Sequence, residues 1–416
     1  LVPRGGPRPE AASVVAPLVR VDSPGQSWAH ERVLVRADLN APLDAGPDGA
    51  PRVADDARIR ASVATLRHLL DAGAAVAVCS HLGRPKGERV DDLSLAPCAA
   101  RLSELLGQPV ELLADCEGSD VEARIRALGP GEIVMLENLR FHAEEEENDA
   151  AFADRLAAGF TTYVNDAFGA AHRAHASTEA VARRLDSCAG LLLSREVEVL
   201  GGLLDAPESP FVAVLGGSKV SDKLPLIENL LDRADRILIG GAMCFTFLTA
   251  LGDPVGTSLH EDEDAQALAL RLLERAAKVN CTIQLPTDIL VADHFDADAD
   301  LKVVPSDGIP DGWMGVDVGP RTAAAYRDVI MGAGTVFWNG PMGAFEIPPF
   351  AEGTRAVAEA MAASPAATVA GGGDSGAALG DMGLADRLTW VSTGGGAALE
   401  LMEGRALPGV AALPTA

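Results

Sequence analysis

Short runs of β-branched and aliphatic residues alternate along this chain with longer stretches whose apolar positions recur at helical spacing, the pattern of βαβ units feeding a mainly parallel sheet. In the first half the pattern predicts strands at Arg32 to Ala37, Ala75 to Ser80, Glu132 to Leu136 and Thr162 to Asn165. It predicts helices at Arg58 to Ala72 and Ala96 to Leu106. A second series follows, with strands expected at Phe211 to Leu215, Arg236 to Ile239, Thr282 to Leu285, Thr335 to Trp338, Ala367 to Ala370 and Thr389 to Val391. Between the two, Ser194 to Leu204 carries aliphatic residues at helical spacing and runs into the turn-forming Ala206-Pro207-Glu208-Ser209-Pro210, which suits a linking helix and hinge.

The expected fold class is therefore α/β, with two doubly wound, mainly parallel-sheet (Rossmann-like) lobes joined by a linking helix and a cleft between them. The expected boundaries are a tag remnant and extension at 1–28, an N-terminal lobe at 29–193, the linking helix and hinge at 194–206, a nucleotide-binding lobe at 207–402, and a segment at 403–416 packing back toward the N-terminal lobe. Within the first of these, Leu1 to Gly5 reads as the remnant of a cleavable linker.

Composition supports two folded domains: at 416 residues, 48% hydrophobic and 23% charged, the chain can bury two substantial cores. Its 60 acidic residues against 34 Lys plus Arg leave a formal charge of −26, which repels nucleic acid and anionic membrane surfaces. No apolar run reaches the roughly 18 to 20 residues that a bilayer requires. The six cysteines are scattered with no Cys-x-x-Cys pair, so a reducing cytoplasm is expected.

Against this acidic background, the ends of the first-half strands collect basic and polar residues. They are Asp38 and Asn40; Ser80 to Pro85 with His81 and Arg84; Glu137 to His142 with Arg140; and Asn165 to His175 with His172 and Arg173. Arg58 opens a helix nearby. Ligands of parallel α/β sheets bind at carboxyl ends of strands, and several guanidinium groups directed at one place suit a small, multiply anionic ligand.

Strand ends in the second half are glycine-rich instead: Gly216 to Lys223, Gly240-Gly241-Ala242, Gly340 to Gly343, Gly371 to Ser375 and Ser392 to Gly396. Glycine lets backbone amides approach a phosphate, and the following helix turns its positive end toward the anion. Lys219 and Lys223 add charge, and Asp374 offers an oxygen ligand for magnesium. These loops predict a nucleotide phosphate site.

Several local signals point elsewhere. Gly371 to Gly376 has the G-x-G-x-x-G spacing, but no ribose-binding acid follows about 20 residues on, which disfavours a nicotinamide dinucleotide. No P-loop or protein-kinase motif set occurs. Asp296, Asp298 and Asp300 lack the glycine and closing glutamate of a calcium loop, His172-Arg173-Ala174-His175 does not match a zinc helix, and Glu144 to Glu147 reads as a solvated acidic run.

These motifs closely resemble phosphoglycerate kinases, from about Arg32 to the C-terminus. Val35 to Pro42, Ser80 to Pro85, Glu137 to His142, Asn165 to His175, Gly216 to Lys223, Phe337 to Gly343 and Ser392 to Gly396 carry the resemblance. It implies that Asp38, Leu39, Asn40, Arg58, His81, Leu82, Gly83, Arg84, Arg140 and Arg173 bind 3-phosphoglycerate or its acyl phosphate. It further implies that Lys219, Lys223, Gly241, Asn339, Glu346, Gly372, Gly373, Asp374 and Ser375 bind ATP or ADP, with Mg2+ on Asp374. Arg58, Lys219, Gly394 and Gly395 would surround the migrating phosphoryl group. The family also implies a monomer, and because the anion and nucleotide lobes are separate, closure about the linking helix is expected to bring their ligands into line. Ala37, Leu39 and Ala41 stand where the family usually carries bulkier residues.

Overall fold

The structure, a computed structural model, describes residues 16–46 and 49–416. The chain divides into two units, one built from residues 16–198 together with Ala406–Ala416 and the other from Val199–Arg405. The helix Leu191–Asp205 carries the chain from the first unit into the second.

The N-terminal unit holds β1 (Arg32–Arg36), β2 (Leu43–Ala45), β3 (Pro51–Val53), β4 (Ala75–Cys79), β5 (Glu111–Leu112), β6 (Ile133–Met135), β7 (Thr162–Asn165) and β8 (Asp186–Ala189). Six of these form one sheet in the order β5-β6-β4-β1-β7-β8, while β2 and β3 pair as a separate antiparallel hairpin. Every pairing in the six-stranded sheet is parallel. Central strands of such a sheet are covered on both faces, which is why Ala75–Cys79 is buried along its whole length. Val33, Val35, Val76, Val78 and Met135 pack on one face with Ile59, Leu66 and Leu69 of the helix Ala57–Asp71.

Contacts with the sheet already occur upstream of the expected boundary at Trp28. Val21 donates its amide to Ala189 O at 2.8 Å and Val19 to Pro414 O at 2.9 Å, so these β-branched residues extend the sheet edge beside β8. Trp28 is itself a core residue and donates Nε1–H to Val21 O at 3.0 Å. Leu1 to Gly5 lies outside the described residues. At the other end, Gly409 donates to Ala171 O at 2.9 Å and accepts from Asn165 Nδ2 at 3.0 Å, which fastens the last segment to the carboxyl edge of β7.

The C-terminal unit holds β9 (Phe211–Leu215), β10 (Arg236–Ile239), β11 (Thr282–Gln284), β12 (Asp288–Ala292), β13 (Leu301–Pro305), β14 (Met314–Val318), β15 (Thr335–Asn339), β16 (Ala367–Ala370) and β17 (Trp390–Val391). The main sheet runs β11-β10-β9-β15-β16-β17, again parallel throughout. Strands β13-β12-β14 form an antiparallel sheet that the sequence pattern does not announce. β13 alternates exposed and half-buried positions, and the acidic turn before it masks its periodicity.

Both parallel sheets reverse their strand order beside the first strand, between β1 and β7 and between β9 and β15. Such a reversal opens a crevice at the carboxyl edge, because the flanking connections leave toward opposite faces. The unusual loops read from the sequence follow these strands.

Candidate active site

In the N-terminal unit the loops after β1, β4 and β6 are bound to one another by side chains. Leu39 donates its amide to Ser80 Oγ at 2.9 Å, Gly83 donates to Asn40 Oδ1 at 2.9 Å, and Leu82 donates to Asn138 Oδ1 at 3.2 Å. The segment Asp38-Leu39-Asn40 is thereby held against His81-Leu82-Gly83. Asp38 is buried and accepts from Arg58 Nη1 at 3.0 Å, which tethers a guanidinium whose side chain is still 38% exposed.

Behind these loops lies a charged network that sequence reading missed. Arg36, the last residue of β1, is fully buried and donates Nε–H to Ser177 Oγ at 2.8 Å. Ser177 in turn donates Oγ–H to Glu145 Oε1 at 2.6 Å, and its amide donates to Glu145 Oε2 at 2.9 Å. Ser177 belongs to a single π-helical turn, Ala176–Ala180, a distortion that frequently marks a functional position. Glu145 is completely buried, so the acidic run at 144–147 is not wholly solvated as expected. Its carboxyl is pushed upward by burial and pulled down by Arg36 and Ser177. A strand ending in arginine and a glutamate run after a strand were the available signals.

Arg36 Nη2 also lies 3.0 Å from His81 Nδ1. A guanidinium can only donate, so Nδ1 is the bare nitrogen and the proton sits on Nε2. Burial, then Arg36 and Arg140, hold the His81 imidazole well below its ordinary range, which keeps it neutral. His175 is held down to about 3 by burial and by Arg140, Arg36 and Arg173. Arg140 is buried and donates Nη1–H to Gly83 O at 2.8 Å. Its Nε has no hydrogen-bond partner among the described residues, although Glu146 Oε1 lies 3.2 Å away. Burial above all lowers the Arg140 pKa; Glu146 and Glu145 oppose that shift, and the neighbouring Arg173 and Arg36 add to it.

Arg173 is half-buried and donates Nε–H to His172 Nε2 at 3.2 Å. Arg84 is exposed and has no hydrogen bond or ion pair among the described residues. His142 is committed elsewhere: it sits 2.7 Å from Asp115 Oδ1 and stacks on Phe152 at 5.2 Å between ring centroids.

The second carboxyl edge is built mainly from backbone. Gly216 donates to Asn339 O at 2.9 Å, Gly217 to Pro341 O at 3.2 Å and Gly241 to Met342 O at 2.8 Å, drawing three loops into contact. A Cβ on Gly216 would overlap the Pro341 carbonyl oxygen, so the close approach requires glycine. Asn339 is buried, accepts from Lys223 Nζ, and donates Nδ2–H to Gly371 O at 2.6 Å. Burial lowers the Lys223 pKa while Asp374 opposes that shift. Ser375 is fully buried and its Oγ accepts from the Gly340 amide at 2.7 Å. The Gly394 amide donates to Ser392 Oγ at 3.1 Å and is thus committed within its own turn. Gly395 precedes the short helix Gly396–Met402.

Lys219 is exposed and makes no hydrogen bond or ion pair among the described residues. Nearby, a cavity of about 430 Å³ has Gly217 and Gly241 on one side and Phe245, Leu259, Phe295 and Met314 as apolar walls, with Glu346 and Asp374 also lining it. Leu259 and Phe295 come from loops of no periodicity, so nothing in the sequence marked this wall. Asp317 lines the cavity as well; burial pushes its carboxyl up to about 7 although Gly353 and Val318 amides donate to it at 2.6 and 2.8 Å.

Two parallel α/β units, one with a basic side-chain edge and one with glycine loops beside an apolar cavity, define a phosphoryl-transfer enzyme of the two-lobed α/β class. The family model described as phosphoglycerate kinase matches residues 26–405. The phosphoglycerate kinase of Moorella thermoacetica is 54% identical over 384 residues, covering 92% of this chain and 96% of that protein. That of Roseiflexus castenholzii is 54% identical over 388 residues, covering 93% and 97% respectively. Among solved structures, phosphoglycerate kinase from Coxiella burnetii aligns with a TM-score of 0.87 at 41% identity, covering 95% of this chain and 98% of that one. The chain belongs to the phosphoglycerate kinase family, phosphotransferases with a carboxyl group as acceptor.

Proposed function

We propose that the chain catalyses reversible phosphoryl transfer from 1,3-bisphosphoglycerate to MgADP, giving 3-phosphoglycerate and MgATP, in glycolysis and gluconeogenesis. The observation that carries this reading is the gathering of Arg140, Arg36 and Arg173 at the carboxyl edge of the N-terminal sheet, with the buried Arg140 Nε making no hydrogen bond among the described residues. In this reading Arg140 and Arg173 take the phosphate of 3-phosphoglycerate, with Arg84 available from the exposed rim. Asp38, Asn40 and the Nε2–H of neutral His81 orient its hydroxyl and carboxylate. Leu39, Leu82 and Gly83 shape the floor.

The cavity of the other unit takes the nucleotide base between Phe245, Leu259, Phe295 and Met314, with Gly241 beneath and Glu346 accepting from sugar hydroxyls. Gly372 to Ser375 receive the phosphates. Gly372 has a φ of +100°, and a Cβ there would lie 2.5 Å from Asn339 Nδ2, so the cradle exists only because the side chain is absent. The exposed Asp374 carboxylate in the first turn of Gly373–Asp381 fits a hard divalent cation, and Mg2+ there would neutralise phosphate oxygens. Lys219, Lys223, Arg58 and the Gly394 to Gly395 turn stabilise charge on the migrating group, which is most of what a protein contributes to phosphoryl transfer. Six buried cysteines suit a reducing cytoplasm, and a strongly acidic composition suits a monomer.

The reading is tested by supplying 3-phosphoglycerate and MgATP and coupling the acyl-phosphate product to NADH oxidation. Turnover is expected, with a loss of about a hundredfold or more in kcat for Lys219→Ala. A folded protein that binds ADP yet gives no turnover would overturn the substrate assignment.

A further inference from the structure

Two of the helices that start at glycine loops of the C-terminal unit are treated differently by the structure. The first turn of Gly373–Asp381 has no side-chain cap. The start of Val220–Leu231, directly after Lys219, already has an anion. Glu261 Oε2 accepts from the Val220 amide at 2.5 Å and the Ser221 amide at 3.2 Å, and Ser221 Oγ donates to Glu261 Oε1. A helix start leaves its first amides without intrahelical partners and carries partial positive charge, so a carboxylate there is both bonded and electrostatically favoured.

Glu261 is itself anchored. Its amide donates to Thr246 Oγ1 at 3.1 Å, and its carbonyl accepts from Gln266 Nε2 at 3.0 Å. Thr246 is fully buried within the helix Met243–Leu251. The carboxylate is thus presented by a loop tied on both sides. A phosphate at the Val220 start would have to displace a fixed negative charge, so this helix start does not serve as the phosphate cradle that its glycine-rich approach suggests.

Its consequence falls on Lys219. That residue is the extended N-cap of the helix, with φ −131° and ψ 135°, and its ammonium has no partner among the described residues. Only the backbone aims it. The preceding Gly217 is pinned on one side, by its amide to Pro341 O at 3.2 Å and its carbonyl to the Met243 amide at 3.0 Å. On the following side the amides of Val220 and Ser221 are pinned by Glu261.

We propose that Glu261 is a positioning residue for phosphoryl transfer, fixing the backbone on which Lys219 is carried while touching neither substrate nor nucleotide. The proposal rests on Lys219 contacting the transferring phosphate. Lys219→Ala measured in parallel separates failure of that reading from failure of this one.

The test is steady-state kinetics of the full chain carrying Glu261→Ala, Glu261→Gln or Ser221→Ala, each assayed well below its own melting temperature. Misplacing a charged group by about an ångström costs on the order of a hundredfold, so Glu261→Ala is expected to lose about tenfold to a hundredfold in kcat. KM for MgATP should move by less than about threefold, because the uniform binding contacts are untouched. Glu261→Gln keeps an acceptor and should recover most of the loss. Ser221→Ala, which removes one donor without vacating the helix start, should fall between and decides the matter if Glu261→Ala does not fold. A merely structural cap would lower the melting temperature and leave kcat of the folded enzyme unchanged, and that result overturns the proposal. So would a kcat loss that Gln does not relieve, or one matched by an equal rise in KM.

Discussion

In the proposed reading the two carboxyl edges meet their anions by opposite means. At the β1 and β7 edge the work falls to side chains: Arg36, His81, Arg140 and Glu145 are buried, and Ser177 links the first of them to the last. At the β9 and β15 edge, Gly216, Gly217 and Gly241 make the contacts through backbone, and the Lys219 ammonium stands without a partner among the described residues. The first edge has its charged groups buried and bonded before any ligand arrives. The second offers shape and amides. Substitutions should therefore fail differently, through lost charge at one edge and through steric exclusion at the other.

Removing the tethered guanidinium should have the largest effect. Arg58→Ala deletes a cation that Asp38 holds at 3.0 Å. Loss of one preorganised charge partner typically raises a barrier by roughly 3 to 4 kcal/mol, a fall in kcat of about two to three orders of magnitude. Stability should fall by on the order of 1 to 2 kcal/mol, because the buried Asp38 carboxylate loses its partner although the Arg58 side chain is itself substantially exposed. If turnover drops less than about tenfold, Arg58 is not among the groups that stabilise the migrating phosphoryl and the basic edge serves binding alone.

The glycine edge is broken sterically. Gly216→Ala places a methyl group against the Pro341 carbonyl, and because the obstacle is backbone, the loops must separate. The expected cost is roughly 3 kcal/mol, the upper range for overpacking, together with weakened ADP binding. Gly373→Ala is the matched control: nothing lies within 4 Å of the added Cβ, and stability should stay within about 0.5 kcal/mol. Thermal unfolding of both variants, with calorimetric ADP titration of Gly216→Ala against the unsubstituted protein, would settle it. Equal behaviour of the two would mean that close backbone approach does not matter at this edge.

How much of this was legible follows from what sequence periodicity encodes. Strands such as Phe211–Leu215 and Arg236–Ile239 are local apolar runs between turn residues, and they form as read. The arginines and glycine loops stood out because they depart from an acidic, helix-rich background. Contacts between distant segments were not legible. Asp166, after β7, caps the linking helix by accepting from Leu192 and Leu193 amides at 2.9 and 3.2 Å. The helix consequently starts at Leu191 rather than at Ser194. Glu145 belongs to an acidic run that looks solvated until Ser177 arrives from 32 residues on. The wall formed by Leu259, Phe295 and Met314 draws on three separate loops and strands, and no local pattern marks residues that meet only after folding.

The smallest expected effect sharpens the comparison through pH. His175 lies among Arg36, Arg140 and Arg173, with Glu145 Oε1 3.8 Å from its Nδ1 and His172 close by in sequence. Burial and those cations hold its pKa to about 3, below the ordinary 6.5 of the unfolded chain. Between these values the unfolded state binds the proton more readily, so the stability tied to neutral His175 is fully present above pH 6.5 and lost as pH falls toward 3. By pH 5 the loss is on the order of 2 kcal/mol, taking about 1.4 kcal/mol per unit. His175→Gln cannot take up that proton, so the stability gap between it and the unsubstituted protein should narrow by about this amount between pH 7.5 and pH 5 in urea unfolding. A gap that stays constant over that range would mean that Glu145 compensates the imidazolium and that the basic edge is already neutral before ligand binds. The distinction drawn between the two edges would then rest on geometry alone.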